Sequence, residues 1–260
     1  MDDHILNYWN TQAEAHGAAY SASWGDLFAI QLEIETIGQF IQAGDHVLDV
    51  GCANGFSLLH HLGKNPASLT GVDFSEAMIR EAQKRKVDEC VRFEVGDVRK
   101  LRFADGTFDV VYTTRTLINL PTWEEQQASI LECLRACKPG GKVILSEAFW
   151  EPLALLNALR LLKGLPPLVE HDFNRYLKKR LLEVFLTSQG LAYEVVDYSS
   201  VYYLGTRFLR ELVVDSRTGE DFTRAAFGNA FNQRFFELEK DFSGGGFGIQ
   251  QAYVVRNPGK

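Results

Sequence analysis

The segment Leu48-Asp-Val-Gly-Cys-Ala-Asn-Gly-Phe-Ser57 decides the fold class of this chain. An apolar, strand-like run ends at Gly51, and a helical pattern begins near Asn54. Free backbone N–H groups and the positive end of a helix dipole make such a turn a ligand site. A dinucleotide fold needs Gly-x-Gly-x-x-Gly, but here Gly55 comes one residue early and Phe56 follows it. The turn therefore disfavours a nicotinamide dinucleotide, and no Gly-Lys-Ser/Thr follows it as in a P-loop.

Apolar strand-like runs alternate with helical patterns between residues 46 and 147. The predicted strands are 46–51, 68–74, 91–95, 108–114 and 142–149, and the predicted helices are 54–64, 75–86 (with Ser75 as N-cap) and 123–138. Pro139-Gly140-Gly141 is expected to end the last of these helices. Strands separated by helices indicate parallel pairing with right-handed crossovers, and hence a three-layer α/β/α sandwich.

The remaining sequence is expected to complete one domain over residues 1–260. The predicted parts are N-terminal lid helices (1–44), a ligand-binding core (45–147), an acceptor-side cover (148–191 and 200–249) and two final strands (192–199 and 250–257). Helices are expected at 152–163 and 173–189. The insertion between the final strands is far longer than a hairpin needs, so it is expected to be helical and to cover something. Most of its rings should be buried: Tyr202, Tyr203, Phe208, Phe222, Phe227, Phe231, Phe235, Phe236, Phe242 and Phe247.

Composition narrows the class of partner. A net charge of −7 disfavours a nucleic-acid binder that relies on phosphate contacts. No apolar run approaches the roughly 18 residues of a membrane span, and MDDHILNYWN is unlike a signal peptide. The four cysteines have neither zinc-ribbon nor Cys-x-x-Cys spacing. We therefore expect a cytoplasmic protein with reduced thiols, no metal site and no membrane partner.

Three carboxylates follow three successive predicted strands and should meet at one edge of the sheet. Asp73 suits a pair of ribose hydroxyls, Asp97 suits the exocyclic amine of adenine, and Asp49 suits an ammonium group. A ligand with adenine, ribose and an amino-acid cation but no phosphate satisfies all three. S-adenosylmethionine is such a ligand.

The order of these motifs from about Asp45 to Glu147 resembles the class I S-adenosylmethionine-dependent methyltransferases, in their small-molecule-type branch. The similarity rests on VLDVGCANG, GVDFSEAMI, EVGDVRKLRFADGTFDVVYTT and LRACKPGGKVIL. It implies a Rossmann-like fold with a seven-stranded, mostly parallel sheet, and S-adenosylhomocysteine as product. The cofactor-binding residues that it implies are Asp49, Gly51, Ala53, Asn54, Gly55, Asp73, Phe74, Met78, Gly96, Asp97, Val98, Thr114 and Leu117. The family usually has glycine at position 53, and alanine should fit if its φ is negative.

The acceptor is expected to be a small molecule that offers an oxygen or nitrogen nucleophile for in-line displacement. The stretch TTRTLINLP after the fourth strand lacks the Asn/Asp-Pro-Pro-aromatic motif of nucleic-acid amino-methylating enzymes. The acceptor-side candidates are Tyr20, Trp24, Tyr202, Tyr203 and Arg207, and the catalytic candidate is His171. The chain is expected to be a monomer or homodimer. Two alternatives stay open, namely a cofactor-binding protein without transfer and transfer of another cofactor group such as aminopropyl.

Overall fold

The computed structural model describes residues 3–85, 88–213 and 230–259 of the chain. Seven strands form one sheet: β1 (His46–Val50), β2 (Ser68–Asp73), β3 (Val91–Val95), β4 (Phe108–Thr114), β5 (Cys137–Ala148), β6 (Tyr193–Val196) and β7 (Gln250–Arg256). Their spatial order is β3-β2-β1-β4-β5-β7-β6, and only β7 runs antiparallel to its neighbours. The prediction of a seven-stranded, mostly parallel sheet is confirmed.

Helices cover the sheet and its carboxyl edge. They are α1 (Asp3–His16), α2 (Leu27–Gly38), α3 (Phe56–Leu59), α4 (Glu76–Lys84), α5 (Trp123–Ala136), α6 (Trp150–Leu162), α7 (Lys179–Ser188), α8 (Ser200–Leu204), α9 (Arg210–Val213) and α10 (Ala230–Asp241). Short 3₁₀ turns lie at Tyr20–Ala22, His60–Lys64 and Leu117–Asn119, and a π turn lies at Gly205–Leu209. Within the described residues, no helix combines the length and apolar character that crossing a bilayer demands.

Alternation along the strands divides the core between the two faces of the sheet. In β4, Tyr112 belongs to the hydrophobic cluster on one face, whereas Val111 belongs to the cluster on the other. In β7, Val254 and Val255 divide in the same way. A strand buried on both faces reads as a continuous apolar run, which is why the sequence showed these strands clearly.

Two predicted helix boundaries were wrong because tertiary hydrogen bonds compete with the helix. Helix α5 ends at Ala136, and β5 already includes Pro139-Gly140-Gly141. The Asn257 side chain stabilises the start of β5 at the edge of the sheet. Its Nδ2 donates to the carbonyls of Leu134, Cys137 and Lys138, which a longer α5 would need for its own hydrogen bonds. The helix predicted at 173–189 begins only at Lys179.

Residues before Lys179 are extended against neighbouring loops instead. The backbone N–H of Arg175 donates to the carbonyl of Ile118 at 2.6 Å, and that of Leu177 donates to Ala148 at 3.0 Å. These bonds fix the segment beside the carboxyl ends of β4 and β5. The N-cap prediction was correct, because Ser75 Oγ accepts from the Met78 N–H at 3.1 Å.

The described part of the insertion between β6 and β7 is helical over 200–213 and 230–241, and residues 242–249 form a non-helical loop. Helix α10 packs on α2, where the ring centroids of Phe236 and Phe28 lie 5.2 Å apart. At Gly205 a Cβ atom would come within 2.1 Å of the Phe235 ring, so close packing requires glycine. Of the rings expected to be buried, Tyr202, Tyr203, Phe208 and Phe236 are buried, whereas Phe231, Phe235 and Phe247 are half-buried and Phe242 is 64% exposed. Phe222 and Phe227 lie outside the described residues.

Candidate functional site

A cavity of about 290 Å³ opens at the carboxyl edge of the sheet. Its floor is formed by the ends of β1, β2 and β4 and the loops that follow them. Tyr8 and Trp9 of α1 line one wall, and Phe173, Asn174 and Tyr176 line another. Open α/β sheets bind ligands at this edge, where loops diverge from adjacent parallel strands.

Most of the residues predicted to form the site line this cavity. They are Trp24, Asp49, Gly51, Ala53, Asn54, Asp73, Phe74, Gly96, Val98, Thr114, His171 and Tyr203. Seven others do not line it, namely Tyr20, Gly55, Met78, Asp97, Leu117, Tyr202 and Arg207.

Asp97 is held away from the cavity by an arginine two residues along the chain. Arg99 Nη2 lies 2.6 Å from Asp97 Oδ2, and Arg99 Nε donates to the same carboxylate at 3.0 Å. Burial alone would raise the pKa of Asp97, but the bonds from Arg99 hold that pKa below its usual value. Asp97 does not line the cavity in this arrangement, and its contact with adenine stays a prediction.

Packing explains why three more predicted cofactor residues lie outside the cavity lining. Met78 and Leu117 are buried in the hydrophobic core. Gly55, at φ +75°, backs against the Phe93 ring, which a Cβ atom would meet at 2.5 Å. These positions shape the loops around the cavity from behind.

Two of the predicted acceptor-side residues are engaged with a buried aspartate. The Tyr202 hydroxyl donates to Asp26 Oδ1 at 2.7 Å, and the Arg207 guanidinium forms an ion pair with Asp26 Oδ2. Tyr20 packs against Phe56, with ring centroids 6.0 Å apart. All three predictions placed these side chains on the ligand side, whereas the structure uses them to join elements of the fold.

Asp73 combines a structural role with free acceptor capacity. Its Oδ2 accepts from the Ala53 N–H and its Oδ1 from the Ser75 N–H, both at 2.9 Å. A carboxylate offers about four lone-pair directions, so Asp73 retains acceptor capacity for a ligand donor. Burial raises the pKa of Asp73 to about 6, although these backbone bonds oppose the shift.

Asp49 is a buried carboxylate without a satisfied oxygen. It is 1% exposed, and neither oxygen meets a hydrogen-bond donor in good geometry within the described residues. Burial raises its pKa to about 8 although the nearby Tyr112 hydroxyl opposes the shift, and the carboxylates of Asp73 and Glu33 add to it. A cationic ligand group would reverse that unfavourable environment, because an opposite charge favours the ionised carboxylate.

The glycine turn corrects the expectation for Ala53. Its φ is +46°, in the left-handed region, rather than negative. Gly51 also has a positive φ of +84°, and a Cβ atom there would fall 1.9 Å from Thr116 Oγ1. That threonine hydroxyl donates to the Val50 carbonyl at 2.9 Å and so joins the turn to the loop after β4.

Asn54 holds the N-terminal segment against the same turn. Its Nδ2 donates to the carbonyls of Gly17 and Ala19, each at 2.8 Å. Ser75 Oγ adds a second connection by donating to Asn10 Oδ1 at 2.7 Å. Helix α1, whose Tyr8 and Trp9 rings line the cavity, is thus held against the loops after β1 and β2 by hydrogen bonds.

His171 lies at the exposed side of the cavity. Its side chain is 44% exposed, and its Nδ1 lies 2.5 Å from Asp172 Oδ1. The imidazole packs on Phe173, with ring centroids 4.2 Å apart. A neighbouring carboxylate can orient an imidazole and stabilise its protonated form.

Arg115 and Glu147, which shapes the loop around it, were not among the predicted site residues. Arg115 lines the cavity just beyond β4. Glu147 accepts from the N–H groups of Thr116 and Leu117, each at 3.1 Å, and burial raises its pKa to about 7. The available signal was a single charged residue inside the otherwise uncharged stretch TTRTLINLP.

A Rossmann-like sheet with acidic residues at a ligand edge is the architecture of the class I methyltransferases. A family model described as a methyltransferase domain matches residues 47–141. A ubiquinone biosynthesis O-methyltransferase of Pseudomonas paraeruginosa is 32% identical over 62% of this chain and 69% of its own length. The chain belongs to the class I S-adenosylmethionine-dependent methyltransferases.

Two further comparisons agree with that family. The 27-O-demethylrifamycin SV methyltransferase of Amycolatopsis mediterranei is 32% identical over 43% of this chain, and the match spans 42% of that relative. The magnesium protoporphyrin IX methyltransferase of Synechocystis PCC 6803, solved with bound S-adenosylhomocysteine, aligns with a TM-score of 0.58. That alignment covers 97% of this chain and 94% of the other at 17% identity, so it supports the fold alone.

Proposed function

We propose that this protein transfers a methyl group from S-adenosylmethionine to a small molecule with an oxygen or nitrogen nucleophile. The observation that carries the proposal is one cavity that unites Asp49 and Asp73 with aromatic walls from Trp24, Tyr176 and Tyr203. The carboxylates suit the two hydrogen-bonding ends of the cofactor, and the aromatic walls suit an organic acceptor.

Each cofactor-side residue has a role that follows from its contacts. Asp73 would accept the two ribose hydroxyls with the lone pairs that Ala53 and Ser75 leave free. Asp49 would face the ammonium group, which supplies the missing partner of its buried oxygens. Gly96 and Val98 would border the adenine in place of the Asp97 side chain.

Bound S-adenosylmethionine supplies an electrophilic methyl group. The chain's own task is to orient a nucleophile toward it and exclude water, and well-oriented reactions gain roughly 7–11 kcal/mol in this way. For a hydroxyl acceptor, His171 would accept the proton while Asp172 stabilises the resulting imidazolium. Both curated relatives are named for O-methylation or an O-methyl position, which favours oxygen as the nucleophile.

The cofactor site is tested by calorimetry with S-adenosylhomocysteine on Asp73→Ala. The variant should bind about 30- to 900-fold more weakly, because losing two charge-assisted hydrogen bonds costs roughly 2–4 kcal/mol. Asp109→Ala is the matched control. Asp109 forms an ion pair with Lys138 at the start of β4, whereas the cavity lies at the other end of this strand. An unchanged dissociation constant in folded Asp73→Ala would remove Asp73 from the site.

Product analysis with a panel of phenols and amines separates the proposal from its alternatives. Formation of S-adenosylhomocysteine together with a methylated acceptor supports methyl transfer. Formation of 5′-methylthioadenosine would instead indicate transfer of another cofactor group. Tight cofactor binding with neither product across the panel would favour a binding protein without transfer.

A further inference from the structure

Arg115 brings the only lysine or arginine side chain into the cavity lining of the described chain. The other charged side chains in that lining are the carboxylates of Asp49 and Asp73, apart from the titratable His171. The Arg115 guanidinium would repel a ligand that carries only positive charge. Its presence beside two carboxylates therefore indicates a ligand that also carries an anionic group.

The backbone holds Arg115 in a costly conformation. Its φ is +52°, which costs a residue with a side chain roughly 1–3 kcal/mol and is common at functional sites. Its N–H donates to the Ser146 carbonyl at 3.0 Å, and its carbonyl accepts from Asn119 Nδ2 at 2.7 Å. Glu147 fixes the next turn through the Thr116 and Leu117 N–H groups. Strand β5 and the 3₁₀ turn at Leu117–Asn119 therefore maintain this conformation.

The guanidinium is positioned but only partly satisfied. It lies 5.0 Å from the centre of a Trp24 ring, and its Nη2 is 3.2 Å from Glu33 Oε2. The Arg115 side chain is 14% exposed, and its buried Nε has no hydrogen-bond partner within the described residues. Arginine carries five N–H donors in a planar fork that matches a carboxylate. The Glu33 contact leaves most of that fork available.

We propose that Arg115 is a carboxylate-binding residue of the cavity. This inference rests on the proposed function, which offers two sources of the carboxylate, namely the methionine part of the cofactor and the methyl acceptor. In either case the guanidinium would make charge-assisted hydrogen bonds to the ligand while Glu33 and Trp24 hold it in place.

The electrostatics of the surroundings support an exchangeable partner. Burial raises the pKa of Glu33 to about 7, although Arg115 opposes the shift. Glu33 is therefore a weaker partner for Arg115 than a fully ionised surface carboxylate would be. A ligand carboxylate with an ordinary low pKa competes well for the same fork.

The test measures dissociation constants of Arg115→Met and Arg115→Lys by calorimetry. The two probes are S-adenosylhomocysteine and 5′-methylthioadenosine, which lacks both the carboxylate and the ammonium group. A third measurement compares 3,4-dihydroxybenzoate with its primary amide in the presence of S-adenosylhomocysteine. Arg80→Met is the control, because Arg80 is an exposed arginine of α4 that pairs with Glu76.

Two results support the inference and distinguish the sources. If the methionine carboxylate is the partner, Arg115→Met weakens S-adenosylhomocysteine about 10- to 100-fold and leaves 5′-methylthioadenosine unchanged. If the acceptor supplies the carboxylate, Arg115→Met leaves S-adenosylhomocysteine unchanged and abolishes the preference for the acid over the amide. Arg115→Lys should show an intermediate loss in the affected measurement, because lysine retains the charge without the fork.

Arg115→Met leaves Glu33 buried without its cation, so Glu33→Gln/Arg115→Met serves as a second variant that removes both charges. The inference is overturned if these folded variants bind every probe as the wild type does. It is also overturned if both adenosyl probes weaken equally, which indicates general damage to the cavity. Failure of the proposed function looks different, because the wild-type protein itself would then not bind S-adenosylhomocysteine.

Discussion

At the scale of single residues, Ala53 adopts a left-handed backbone conformation that its side chain disfavours. The Ala53 N–H must donate to Asp73 Oδ2, and this bond fixes the turn at the end of β1. Left-handed φ costs a non-glycine residue roughly 1–2 kcal/mol. The strain is therefore a consequence of joining the loops after β1 and β2 around one ligand position.

Ala53→Gly should raise the free energy of unfolding by about 0.5–1 kcal/mol. Relief of the strain exceeds the roughly 0.4–1 kcal/mol that the greater chain entropy of glycine costs in the unfolded state. Ala19→Gly is the control, because Ala19 has a φ of −71° and should only lose stability. Urea unfolding of both variants measures the effect. An equal loss of stability in both would show that position 53 carries no strain.

The same scale shows what could be predicted at the site. The position of Asp49 and Asp73 in the cavity lining could be predicted, because carboxylates at the ends of parallel strands meet at one edge of the sheet. Asp97 also follows a parallel strand, but its carboxylate forms an ion pair with Arg99. The periodicity of the strands does not predict this ion pair. Arg115 was missed because its direction depends on a positive φ, which its hydrogen bonds to Ser146 of β5 and to the side chain of Asn119 maintain.

At the scale of elements, strands buried on both faces were predicted more accurately than the segments beside the cavity. The apolar runs of β1, β2 and β4 are determined locally by burial. The segment before Lys179 has a helical pattern, yet its N–H groups donate to Ile118 and Ala148. The periodicity of the local sequence does not predict the conformation of segments whose backbone hydrogen bonds are made to other elements.

The attachment of α1 to the glycine turn gives a prediction at this scale. Asn54→Ala removes the two bonds from Nδ2 to Gly17 and Ala19, each worth about 0.5–1.5 kcal/mol. Amide hydrogen exchange in residues 3–16 should therefore accelerate by about 5- to 150-fold, and S-adenosylhomocysteine should dissociate faster. Asn157→Ala is the control, because Asn157 bonds to Leu168 outside the cavity lining. Unchanged protection of α1 would contradict this role of Asn54.

At the scale of the whole molecule, the fold buries several carboxylates whose pKa values lie above their usual range. Burial is the main cause in each case, and the values are about 8 for Asp49, about 7 for Glu33, Glu147 and Glu239, and about 6 for Asp73. Three of them border the cavity or its loops. The buried carboxylates that suit a cationic ligand therefore lower the free energy of unfolding of the ligand-free protein at neutral pH.

This arrangement predicts that the ligand-free protein becomes less stable as pH rises from 5 to 8. A raised folded-state pKa means that the folded protein binds more protons than the unfolded chain in this interval, so rising pH favours unfolding. One group with a pKa of about 7 contributes about 1.4 kcal/mol for each pH unit in which only the folded state keeps its proton. Buried His61, whose pKa burial lowers to about 4, opposes this change below about pH 6.5. Because more carboxylates are affected, the free energy of unfolding should still fall by about 3 kcal/mol or more over the interval.

Urea unfolding at pH 5, 6, 7 and 8 measures this dependence, and Asp49→Asn is the matched variant. Asparagine keeps the shape of Asp49, cannot ionise, and still offers an amide oxygen to the neighbouring Tyr112 hydroxyl. The variant should therefore show a shallower decline than the wild type, by up to about 1.4 kcal/mol per pH unit near neutral pH. Stability that stays constant or rises toward pH 8, or identical slopes for both proteins, would show that Asp49 is ionised in the ligand-free fold. Its carboxylate would then already have a partner, and a cationic ligand would gain little from binding beside it.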